Sequence, residues 1–323
     1  MAQSKYKFTL FENIEYKILF TIWYIISKLP MWVLYCFSTL CSSLLYYVIR
    51  YRRKIVRNNI KKSFPNLSIK KRWLIERRFY LHFCDIFMES VKYFSISKTE
   101  IKKRMQFKGL EMIEESCKKG RSCGVYLGHY ANWEWVSSLQ LWIDPELGKC
   151  IQIYHPLENK VFDKLIAYTR ERMGSTNISV NESLRQLVRY KNEGIPMVIG
   201  FIADQVPQYK SIHYWTNFLN HEETPIFSGP ERLMKQLDMD VYYFDVKRKK
   251  RGYYTIETKK ITDKPNDCEE FFLTERYTRM LEHTIQRAPS YWLWSHNRWK
   301  RTKDTWLERL NTQVSNKNTQ NIN

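Results

Sequence analysis

The stretch GHYANWEW, residues 128–135, sets a histidine five positions ahead of a glutamate, with a tryptophan on each side of the acid. A neutral imidazole near pH 7 can take a proton from an attacking hydroxyl, and a carboxylate on its other nitrogen fixes the tautomer and steadies the imidazolium. On one continuous helix, residues five apart diverge by about 140°, so His129 and Glu134 would face different ways. They meet only if His129 lies in a turn and Glu134 in the first turn of the helix that follows. Asn132 suits the N-cap of that helix, and the helix dipole favours a carboxylate at Glu134. The bland alternative is a satisfied histidine beside a capping glutamate.

Other residues of the right type stand at similar places. Asp204 and Gln205, in ADQVP, follow the apolar run PMVIGFI (196–202). The opening histidine itself follows SCGVYL (122–127). Open α/β sheets bind ligands at the carboxyl ends of their strands, where all of these residues would sit. Arg232 and Glu231 fall on a helix-like stretch, and His296, Arg298 and Lys300 fall among tryptophans near the C-terminus. For these a solvated face or plain packing is the competing reading.

The elements that must position these groups are legible in the pattern. Residues 70–95, 161–174 and 182–194 carry helical periodicity, the last two closing on glycine. DVYYFDV and YYTIET, within 240–258, flank KRKKRG as a hairpin with a basic loop. Short apolar runs alternating with helices predict an α/β fold with a mixed sheet flanked by helices.

Ahead of it, residues 31–49 run without a charge and end on RYRRKIVR. As a helix this run is roughly 28 Å long, close to the hydrocarbon thickness of a bilayer. A second apolar piece, residues 18–27, precedes it across Pro30. We expect a membrane anchor over 1–49, either one spanning helix or a hairpin lying in one leaflet, a basic helical region over 50–108, an α/β domain over 109–310, and a disordered polar tail over 311–323. A buried core helix is the alternative for the anchor.

The formal net charge is +20 over 323 residues, and residues 50–108 hold 18 Lys/Arg against 4 Asp/Glu, which is 18 − 4 = +14. Such a segment seeks an anion: a lipid surface, an acidic carrier or nucleic acid. Its position beside an uncharged run favours membrane over nucleic acid. Seven cysteines without a C-x-x-C pair suggest neither a disulfide framework nor a zinc site.

GHYANWEW resembles the H-x4-D/E motif of glycerolipid-type acyltransferases, and the chain resembles the bacterial lipid A late (lauroyl/myristoyl) acyltransferase family over roughly 15–305. The likeness runs through RRKIVRNNIKKSFPNLS (52–68), YHPLENKVFDKLI (154–166), ADQVP, TPIFSGPERLMKQLDMDVYYFDVKR (224–248) and PSYWLWSHNRWK (289–300). It departs at His155, where the family commonly has arginine, and at Gln208-Tyr209-Lys210, where glycine and arginine often follow the Asp-Gln motif.

The resemblance implies a glycerol-phosphate acyltransferase-like fold and transfer of a fatty acyl chain from acyl-acyl carrier protein to a hydroxyl of a lipid A precursor, on the cytoplasmic face of the bacterial inner membrane. It implies His129 and Glu134 as the catalytic pair, and Asn132, His155, Asp204, Gln205 and Arg232 as substrate contacts. The expected partners are acyl carrier protein, a membrane and a lipid acceptor, with no nucleic acid, no metal and no cofactor beyond the carrier thioester. A lysophospholipid or amino-acid lipid acceptor is the near alternative, and a non-enzymatic basic protein binding a membrane surface or nucleic acid the distant one.

Overall fold

The computed structural model describes residue 6 and residues 8–320, with side chains through residue 312. Seven strands form the main sheet: β1 (Met105–Lys108), β2 (Cys123–Leu127), β3 (Lys149–Tyr154), β4 (Thr176–Ser179), β5 (Met197–Ile202), β8 (Asp240–Lys250) and β9 (Tyr253–Thr262). Their spatial order is β1-β9-β8-β2-β5-β3-β4, and β8 and β9 form its one antiparallel pair. β2 lies in the middle with all five residues buried, as a parallel strand covered on both faces requires. A separate ribbon pairs β6 (Tyr214–Phe218) with β7 (His221–Ile226). The fold is α/β, a mixed sheet flanked by helices.

The helices are α1 (Leu10–Lys28), α2 (Met31–Ser43), α3 (Arg53–Ser63), α4 (Ile69–Tyr93), α5 (Lys98–Arg104), α6 (Glu111–Lys118), α7 (Lys160–Glu171), α8 (Ser183–Asn192), α9 (Gly229–Leu237), α10 (Phe272–Arg287) and α11 (Lys303–Gln320). Local chemistry sets their starts. Thr9 and Glu12 form a capping box on α1, and Asn159 caps α7 by accepting from Val161 and Phe162 N–H. α2 begins after Pro30, which cannot continue α1, and passes into a π-helical turn over Leu44–Ile49. Met31–Ile49 is long and apolar enough to cross a membrane by length and composition.

Three expected boundaries move. The N-terminal apolar segment is no separate unit: Ser38 Oγ donates to Asp85 Oδ1 at 2.6 Å and Tyr35 Oη to Glu89 Oε1 at 2.8 Å, both acids lying on α4. The basic region does not end outside the sheet, because β1 joins its edge beside β9. The polar tail continues as α11 through Gln320, a stretch with no proline or glycine to stop it, while 321–323 lie outside the described residues. The basic loop KRKKRG is mostly strand, and only Arg251-Gly252 forms the turn.

Candidate active site

His129 and Asp204 come together through strand register. Leu127 ends β2 and Ile202 ends β5, and these two residues are partners in the parallel ladder. His129 and Asp204 each follow two residues later, so neighbouring strands about 4.8 Å apart deliver both side chains to one place. The Asp204 carboxylate is buried and takes three donors. Oδ2 accepts His129 N–H at 2.9 Å and Trp292 Nε1–H at 2.7 Å, while Oδ1 lies 2.6 Å from His129 Nδ1. Burial pushes this carboxyl up, but the neighbouring imidazole and the three hydrogen bonds outweigh it, and the group sits below the usual carboxylate range.

The close approach depends on Gly128. A Cβ there would lie 2.6 Å from Leu281 Cδ1 and 3.3 Å from Asp204 Oδ2. The next turn is fastened to the C-terminal segment. Tyr130 bridges Trp292, and Ala131, in the left-handed region at φ 54°, donates its N–H to Tyr291 O at 2.9 Å.

Which proton His129 carries follows from its neighbours. Nδ1 faces a carboxylate, which accepts only, so Nδ1 holds the hydrogen. Gln205 Nε2, an amide donor, lies 3.2 Å from His129 Nε2, which leaves that nitrogen the acceptor. Both contacts select the same tautomer, with the basic nitrogen toward the partly open side.

Glu134 is placed differently from expectation. It does not orient His129. Arg170 on α7 grips it with two bonds, Nε to Oε2 at 2.9 Å and Nη2 to Oε1 at 2.7 Å. Burial raises the Glu134 carboxyl, but Arg170 holds it below its ordinary value, with a smaller contribution from His129. The reason is the turn. Asn132 Oδ1 accepts Trp135 N–H at 3.0 Å across the turn that leads into a 3-10 helix, and Glu134 opens that helix.

Asn132 is therefore no substrate contact. It is fully buried, and its Nδ2 donates to Glu89 Oε2 at 2.6 Å. Arg232 is exposed on α9 and lines neither of the two cavities at the site. Glu231 accepts from Thr274 N–H and Oγ and packs α9 against α10. His296 accepts Val206 N–H at 3.1 Å, and its imidazole is pushed down to about 4 by burial and by Arg298, so it props the Asp204 loop as a neutral ring. Arg298 is buried and donates to Pro225 O.

Two cavities meet here. One, about 690 Å³, is lined by His129, Tyr154, His155 and Gln205; the other, about 550 Å³, by apolar residues of α1, α2, α4 and α7. Trp133, Glu134, Ile166 and Arg170 line both. Arg170, which the sequence did not single out, is the sole lysine or arginine lining either cavity among the described residues. No group of three His, Cys, Asp or Glu among those residues could hold a metal.

An imidazole held by a buried carboxylate thus lines the larger cavity, next to the residues it shares with the apolar one. The family model for bacterial lipid A biosynthesis acyltransferases matches residues 4–301. The chain belongs to this family. No curated protein matches it as a relative. As a lipid A biosynthesis acyltransferase it keeps its motif histidine in the larger cavity and its motif glutamate where the two cavities meet, and His155 lines the larger cavity from an exposed position.

Proposed function

We propose that this acyltransferase moves a fatty acyl chain from an acyl-acyl carrier protein thioester to a hydroxyl of a lipid A precursor, with His129 as general base and no metal or further cofactor. The reading rests on one observation above others: His129, its tautomer set by Asp204, lines the larger cavity and packs edge-on against Trp133, which lines both cavities. The acceptor hydroxyl takes the place of the Gln205 amide at Nε2 and attacks the thioester carbonyl carbon as its proton passes to the ring. The resulting oxyanion is stabilised by the Arg170 guanidinium, which lines the same cavity as His129. When the C–S bond breaks, the imidazolium returns the proton to the thiolate. The apolar cavity suits the acyl chain, and the larger one, with Tyr154, His155 and Gln205, suits a polar headgroup.

The test is reconstitution. Purified enzyme with an acyl carrier protein thioester and an underacylated lipid A precursor is expected to give a product heavier by one acyl chain. Transfer to a lysophospholipid but not to the precursor would replace the acceptor, and hydrolysis alone with every acceptor would remove the reading.

A further inference from the structure

We infer that α1, α2 and the turn Leu44–Ile49 form a docking face for a single leaflet of an anionic lipid membrane, and that no segment among the described residues crosses the bilayer. Length and composition permit Met31–Ile49 to span, but what is bonded to it does not. Asp85 holds Ser38 and also pairs with Arg248 and Arg251, and Glu89 holds Tyr35, all on the inner side of α2. The Tyr35 hydroxyl rests on Gly252 at the tip of the β8–β9 hairpin, where any Cβ would overlap it. α1 is tied down as well. Lys92 Nζ donates to Ser27 O and Leu29 O at 2.9 Å each, and Phe20 packs edge-on against Phe94 and Tyr168. Carrying α2 across the hydrocarbon would draw Asp85, Glu89, Lys92 and Arg251 into lipid with it, where ionisable groups are strongly disfavoured.

The outer side of the same helices is apolar. Phe11, Ile14, Ile18, Ile22 and Ile25 are exposed at helical spacing along α1. Trp32, Leu40, Leu44 and Val48 continue the exposed apolar surface along α2 and its last turn. Exposed cations border it: Lys28 at the end of α1, then Arg50, Arg52 and Lys54 directly after Ile49. An apolar stripe edged by lysine and arginine is the pattern of a helix lying in the plane of an anionic interface. The apolar cavity opens on this face, because Leu44, Ile49 and Phe87 line it and are also exposed, and Glu134 and Arg170 line it together with the larger cavity. A chain buried in the leaflet could thus enter from the side.

The inference rests on the lipid-acceptor reading only for its purpose, and it is tested without turnover. Full-length protein carrying a tag at each end is exposed to protease in spheroplasts and in inside-out membrane vesicles. Both tags are expected to be protected in the first and digested in the second; digestion of the N-terminal tag from outside spheroplasts would overturn the single-leaflet seat. The variant I14E/I18E/I22E is expected to lose at least tenfold in binding to phosphatidylglycerol vesicles while keeping its melting temperature, and wild type to bind phosphatidylcholine vesicles weakly. Undiminished vesicle binding by the variant, or a dimer in the wild type that the variant converts to monomer without loss of vesicle binding, would overturn the membrane as occupant.

Discussion

Glu89 and Asn132 are joined by a 2.6 Å hydrogen bond that connects the long helix α4 to the turn carrying His129. Tyr254 and Tyr35 donate to the same carboxylate at 2.8 Å each. Burial nevertheless pushes Glu89 up to about 7. A folded-state value above the ordinary one means the native protein binds this proton more tightly. The stabilising contribution is therefore complete below about 4.5 and is lost as pH rises through about 7, on the order of 3 kcal/mol at most. Melting temperature measured from pH 5 to 8 should fall more steeply in the wild type than in Glu89→Gln; equal slopes would contradict the assignment.

Removing residues 1–49 should not release a working soluble domain. It strips Ser38 and Tyr35 from Asp85 and Glu89 and leaves buried acids short of partners, each at about 1–3 kcal/mol or more. The truncated chain is expected to aggregate or melt far below the wild type by circular dichroism. A soluble, active truncation would show the helices to be dispensable.

Asp204→Asn should keep the fold and lose about 10³–10⁴ in kcat, because an amide can present hydrogens to donors and no longer selects the Nδ1–H tautomer of His129. The ring ¹⁵N shifts of His129 give a readout that packing alone would not move: in Asp204→Asn the proton should redistribute from Nδ1. Unchanged shifts with lost activity would make Asp204 a substrate contact instead.

Glu134 and Arg170 should behave as a unit. Glu134→Gln leaves a partly buried guanidinium unpaired, and Arg170→Met leaves the acid unpaired, so each single change is costly. In kcat/KM the double variant is expected to lose less than the sum of the singles, with a coupling of about 1–3 kcal/mol. Strict additivity would mean that the two groups act separately.

Docking of an acidic carrier on the basic segment needs a different probe from its densest cluster. Arg53 donates to Glu76 and Tyr46, and Arg52 to Ser295 O, so reversing either disturbs the fold. Lys54, Lys61 and Lys62 are exposed. Reversing these three should raise the apparent KM for the carrier several-fold at low salt in neutral detergent and flatten its salt dependence. An unchanged KM would leave this surface to lipid alone.

Much of the layout was legible from the chain. The buried strands at 123–127, 149–154 and 197–202 announce themselves as short apolar runs, and their ends carry His129, His155 and Asp204. β1 and β4 are four residues each and lack such a run, so only pairing reveals them. Partnership was harder to read. Spacing along the chain suggested Glu134 for His129, but the partner stands 75 residues on, supplied by register between β2 and β5. Arg170 is one cation among many on an amphipathic helix, and nothing in sequence says it faces Glu134. Likewise Asn132 has the type of a ligand contact but lies fully buried between the turn and α4.

The Trp292 indole on Asp204 also bears on biosynthesis. The group that holds the carboxylate is encoded near the end of the sheet-and-helix unit, 163 residues after the histidine. During translation His129 can leave the ribosome and β2 can form, yet Asp204 lacks one of its three donors until Trp292 has emerged as well. Contacts so distant in sequence close slowly and late. A nascent or truncated chain that lacks Trp292 would therefore carry His129 without the full support of its carboxylate.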